Sequence, residues 1–128
     1  MTPVVINASA GAEMVLDTAR GRALARLLPQ DAVGWVPEHF YAEVLGVVRR
    51  RLVVDKMITE AQATAALGRL RQWHLHHAAV EPLVEHAWRY RNNMTAADAL
   101  YVAVLLPTFL TWRVTLCEPG RLPMAIDA

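Results

Sequence analysis

The sequence predicts an α/β domain built on a central, mostly parallel sheet of four to five strands. Three observations predict it. Short apolar, β-branched runs recur along the chain: "TPVVIN", "AVGWVP" and "WRVTLC". Between them lie longer stretches with apolar residues at helical spacing. Strands separated by helices rather than by tight turns pair in parallel. At 128 residues the chain is read as one domain over 1–128, and its 55% hydrophobic content suffices for a core without disulfides. The apolar surplus also points to a buried partner surface.

The elements follow in order. "TPVVIN" is a first strand buried on both faces and ending near Asn7. "SAGAEMVL" and "TARGRALARLL" form a broken helical stretch, with Leu24, Leu27 and Leu28 on one face and Arg20, Arg22 and Arg26 outside it. "AVGWVP" is a second strand, closed by Pro37. From Glu38 to about Val53, Phe40, Val44, Val47, Val48 and Leu52 make a helical stripe. Asp55 and Met57 fall in a turn. Thr59 and Gln62 have the spacing of a capping box, opening a helix whose face is Ala66, Leu67 and Leu70. "HLHHAAV" is a weak third strand, and "EPLVEHAWRYR" is a helix with Pro82 in its first turn. A helix headed by Asp98 follows, ended by a turn at Pro107; "WRVTLC" is a fourth strand and "LPMAI" a fifth.

Composition narrows the function classes. The net charge of +1 gives no strong electrostatic pull on nucleic acid. Twelve of the thirteen basic residues are Arg, with Lys56 the only Lys; Arg offers a planar fork suited to phosphate, and genome-wide codon bias produces the same skew. The single cysteine, Cys117, has no internal partner, which fits a reducing intracellular setting. The N-terminal stretch lacks the basic start and cleavable apolar run of a secretory signal. The apolar run 99–112 is too short to span a bilayer, which takes roughly 18–20 residues.

In parallel α/β sheets, sites form beyond the carboxyl ends of the strands. Asn7, the segment after Trp35, and Cys117–Glu118 are therefore the places to search. Asp98 is the one charge in "MTAADALYVAVLLPTFL", and a carboxylate withdrawn from water needs a cation or several donors. "TAAD", from Thr95 to Asp98, also matches a helix-capping pattern. Glu43 flanks its helix's apolar stripe, near Phe40 and Val47; its plain alternative is a rim ion pair with Arg49, Arg50 or Arg51. Those three arginines project in different directions, lining an RNA path or simply solvating a helix end. His74 and His76 share a strand face, but no further Cys/His set completes a zinc site. Cys117 has no paired base, and Ser9, a nucleophile only with a partner, reads as a helix cap.

"VVINASA", "PEHFYAEVLGVVRRR", "RNNMTAADALYVAV" and "RVTLCEPGRL" lie, in that order and spacing, over nearly the whole chain. In them the chain resembles the PIN-domain ribonucleases, specifically the VapC-type toxins of bacterial toxin–antitoxin pairs. The resemblance implies a three-layer α/β/α sandwich. It also implies an endoribonuclease dependent on Mg²⁺ or Mn²⁺, a cytoplasmic setting, a homodimer and a VapB-type antitoxin that covers the site. Four acids hold the metal in that family. Glu43 and Asp98 match two of them, while Asn7 stands where the first strand ends in Asp, and Cys117, with Glu118 adjacent, stands where the fourth does. Asn7 keeps an oxygen without its charge, and Cys117 is a soft donor poorly suited to Mg²⁺. The site charge falls from about −4 to about −2, or about −3 if Glu118 contributes. The same fold, catalytically impaired and retained to bind antitoxin or RNA, is the rival expectation.

Overall fold

A computed structural model describes residues 2–108, 113–117 and 124–127, with side chains over 2–105. Five strands, β1 (Thr2–Ile6), β2 (Ala32–Pro37), β3 (His76–Ala78), β4 (Arg113–Cys117) and β5 (Met124–Asp127), form one sheet in the order β3-β2-β1-β4-β5. The first four are mutually parallel and β5 runs antiparallel to β4. The α/β class and the parallel sheet are thus as the sequence predicts.

β1 is central because it can be: Val4, Val5 and Ile6 are all buried, so both of its faces are covered. α1 (Ala8–Val15) and α2 (Ala19–Leu27) connect it to β2. Their break falls at Asp17, which takes a left-handed φ of 54°, and Thr18 caps α2 by accepting from the Gly21 N–H at 3.0 Å. α3 (Phe40–Arg49) continues into a π-helical turn (Arg50–Val54) and buries Phe40, Val44 and Val48. α4 (Glu60–Gln72) opens with both bonds of the Thr59–Gln62 capping box, at 3.1 and 2.8 Å. A 3-10 turn (Glu81–Leu83) carrying Pro82 leads into α5 (Val84–Trp88), and α6 (Ala96–Thr108) precedes β4.

Several details depart from expectation. Leu24 is buried but Leu27 is 53% exposed, so α2 presents a narrower face than its sequence suggests. Pro107 does not end the helix: α6 runs to Thr108, where so late a proline forfeits only the bond to the Ala103 carbonyl. His74 lies outside β3, so the strand pairing of His74 with His76 does not arise. Among the described residues no helix is long and apolar enough to cross a membrane.

Candidate active site

The parallel strands deliver Ile6, Pro37, Ala78 and Cys117 to one edge of the sheet. Asn7 follows β1 directly. Its backbone is extended, and its Oδ1 accepts the Ala10 N–H at 2.9 Å, so it N-caps α1. Ser9, read as a possible cap, is instead an exposed residue of α1's first turn. Cys117 is the last residue of β4 and pairs with Ile6, one residue before Asn7. Glu118 and the Cys117 side chain lie outside the described residues.

Glu43 sits in the first turn of α3 with its side chain 38% exposed, the half-buried placement expected of it. Its partner is not an arginine. The Tyr101 hydroxyl donates to Glu43 Oε1 at 2.9 Å, and His39 Nε2 lies 3.2 Å from the same oxygen, out of line for a hydrogen bond. Two of the three arginines are engaged elsewhere: Arg50 with Asp55 at 3.5 Å and Arg51 with Glu13.

Asp98 is exposed, which corrects the picture of an acid driven out of water. It belongs to the first turn of α6, where its backbone N–H donates to Thr95 Oγ1 at 3.3 Å; the buried face of the helix starts one residue later, at Ala99. The capping half of the sequence pattern is therefore present, and the side chain is open to solvent.

Tyr101 ties these elements together. It is one turn beyond Asp98 and only 2% exposed. Burial drives its pKa far above the ordinary phenol value, and the Glu43 bond and charge and the charge of Asp98 push the same way. The Ala8 backbone N–H, at the start of α1, acts in the opposite direction. One hydroxyl is thus in the field of the β1–α1 junction, of α3 and of the Asp98 turn. Sequence reasoning passed over Tyr101; the signal was the one polar atom inside "ALYVAVLL".

It also passed over Glu13, the only buried charged residue among those described. Burial raises the pKa of this carboxyl. Hydrogen bonds from Arg51 and Thr18 and the Arg51 charge outweigh that, and the group sits below its ordinary value. Glu13 and Arg51 bind α1 to the end of α3.

His76 and His77 are placed in ring contacts rather than in a metal set. His76 stacks on Trp35 at 4.7 Å, and His77 Nε2 lies 2.7 Å from the Tyr41 hydroxyl. Among the described residues no three His, Cys, Asp or Glu side chains are grouped to hold a metal. The donor set at Asn7, Glu43 and Asp98 is two carboxylates and one amide oxygen. That is a hard, oxygen-only set, and Mg²⁺ is commonly held by one or two carboxylates with water and substrate phosphate completing its shell. Held together, these residues would suit such an ion by donor chemistry.

The class is an α/β domain with a parallel sheet, whose two candidate carboxylates, Glu43 and Asp98, stand on the helices α3 and α6. The chain belongs to the VapC family of PIN-domain ribonucleases. Ribonuclease VapC12 of Mycobacterium tuberculosis is 32% identical over 101 residues, 79% of this chain and 77% of that protein. Ribonuclease VapC1 of the same organism is 33% identical over 105 residues, 81% and 78% of the two chains, and Ribonuclease VapC3 is 35% identical over 100 residues, 77% and 72%. The crystal structure of M. tuberculosis VapC20, a Sarcin-Ricin loop cleaving toxin, shares the fold with a TM-score of 0.56 at 20% identity over 80% of each chain. No family model matches the chain.

Proposed function

We propose that this protein is a VapC-type toxin acting as a Mg²⁺-dependent (or Mn²⁺-dependent) endoribonuclease on RNA phosphodiester bonds. Glu43 and Asp98 would hold the ion, with Asn7 in a ligand position and Glu118 as a weaker contributor. The observation that carries the reading is the Tyr101 hydroxyl bonded to Glu43 within the field of Asp98 and of the β1–α1 junction. A bound divalent ion supplies an acidified, oriented water and offsets charge on the phosphate. The chain's own part is positional: Asn7 fixes the start of α1, Glu43 is steadied by Tyr101, and Asp98 stands open to an incoming RNA. The reading carries with it a three-layer α/β/α sandwich over 1–128 as one domain, a cytoplasmic setting, a homodimer, and a VapB-type antitoxin over the site.

The second reading is a catalytically impaired module that binds antitoxin or RNA. It is favoured by Asn7 and Cys117 standing where the family resemblance places acids. One set of variants separates the two. Asn7→Asp retains the helix cap and adds a charge beside the ion. At an effective dielectric of ~20 a unit pair at ~4 Å is worth roughly 4 kcal/mol. Desolvation and ligand repulsion remove most of it, and a remainder of about 1.4 kcal/mol is tenfold in affinity. Asn7→Asp combined with Cys117→Asp should therefore bind Mg²⁺ at least about tenfold more tightly and cut a mixed RNA faster, and Asp98→Ala in that background should abolish both. Unchanged binding and cleavage, or cleavage indifferent to Asp98, would select the binding module.

A further inference from the structure

Tyr101 is an expensive residue for its position. Around it, Ala99, Ala103, Val104 and Leu105 are buried aliphatic neighbours on α6, and a Leu or Phe would fill such a place without a polar atom. A buried hydroxyl is unfavourable unless bonded. Here it is bonded, and to the candidate metal ligand rather than to a backbone carbonyl of its own helix.

The two partners differ in mobility. Glu43 has three side-chain torsions and a partly solvated carboxylate. The Tyr101 ring is fixed by burial and by an edge-on contact with His39, ring centroids 5.1 Å apart. The rigid group therefore orients the flexible one. Among the described residues both contacts to the carboxylate, from Tyr101 and His39, fall on Oε1, and Oε2 takes neither.

We propose that Tyr101 is a positioning residue for the metal site: its hydroxyl holds Glu43 Oε1 and leaves Oε2 to the divalent cation. This rests on the metal-nuclease reading above. Asp98 and Tyr101 lie one turn apart on α6, so a single helix carries one ligand and the clamp on the other. Two fewer acids than the family's set make such orientation more valuable, because the remaining carboxylates carry the whole charge of the site. Partners that orient a ligand in this way typically change metal affinity by about 10–100-fold when removed.

The test is titration of the full chain with Mn²⁺ and with Mg²⁺ by calorimetry, alongside thermal melts. Tyr101→Phe should weaken binding at least about tenfold. Its melting temperature should fall only modestly, since the half-exposed carboxylate can take water and only the Ala8 N–H loses a partner. In RNA cleavage the metal concentration for half-maximal rate should rise, with kcat at saturating metal nearly unchanged. Tyr101→Leu, suited to the aliphatic run, should give the same loss and guards against a folding artefact of the first variant. In a Glu43→Asp background, whose shorter side chain does not reach the hydroxyl, Tyr101→Phe should have no further effect. A parent chain that binds metal and a Tyr101→Phe chain that binds it equally well would overturn this assignment alone. A parent chain that binds neither ion at millimolar concentration would overturn the nuclease reading together with it.

Discussion

Glu13 shows at the scale of one residue what a carboxylate in an apolar helix requires. The residues around it, "ASAGAEMV", are small or apolar, and its charge is met by Arg51 and the Thr18 hydroxyl. Because its carboxyl is held below the ordinary value, its contribution to stability is complete above that value and is lost as pH falls through the lowered one. Glu13→Gln should therefore lower the melting temperature at neutral pH and narrow the gap to the parent on the acid side; melts between neutral pH and pH 3 check it. Breaking the pair at neutral pH is expected to cost roughly 2–3 kcal/mol, less than for a fully enclosed pair because Arg51 is 25% exposed. A gap that stays constant down to pH 3 would show that Glu13 is not the titrating group. Burial is what separates the two acids: Glu13 is buried and needs its partners, whereas Asp98 is exposed.

At the scale of elements, what sequence could and could not convey separates cleanly. Local devices were legible. The Thr59–Gln62 box, the limits of β2 and the opening of α6 at Thr95 each depend on residues within four positions of one another. Tyr101 with Glu43 spans 58 positions and Arg51 with Glu13 spans 38, and nothing in either local pattern names its partner. The closeness of α1 to its neighbours was equally hidden. At Gly11 an added Cβ would meet the Phe40 ring at 2.7 Å, and at Gly21 it would meet the Glu13 carbonyl oxygen at 2.0 Å. The second obstacle is backbone and cannot swing aside. Gly21→Ala should force α1 and α2 apart at a cost of about 3 kcal/mol or more, whereas Gly46→Ala, with open space around it, should be neutral or slightly stabilising through helix propensity. Denaturant unfolding of the pair measures the contrast, and equal midpoints would refute the close packing of α1 on α2. Of the site, the family resemblance supplied Asn7, Glu43 and Asp98, and only the folded geometry supplied Tyr101.

Over the whole molecule, apolar surface remains outside the core. Trp88 is 67% exposed and Val84 58%, and both face a groove of about 490 Å³ that also takes in Leu100. Val53, Val54 and Met57 are likewise more than half exposed. Surface of this kind in a small chain favours self-association. Sedimentation at micromolar concentration is expected to give a dimer without any antitoxin, and Trp88→Asp or Val54→Asp should shift it toward monomer according to which face is buried; a purely monomeric parent would refute the expectation.

The rims of the sheet bear on how any such partner can attach. At one rim β3 is only three residues long, His76–Ala78, and at the other β5 turns antiparallel for four. A visiting peptide that tried to lengthen the sheet would find a ladder of two or three rungs, too few to hold it, and a second copy would find no template for endless stacking. Among the described strands, brevity at both rims disfavours strand-to-strand polymerisation. A partner of the described surface is therefore expected to dock through side chains rather than by adding a strand to the sheet.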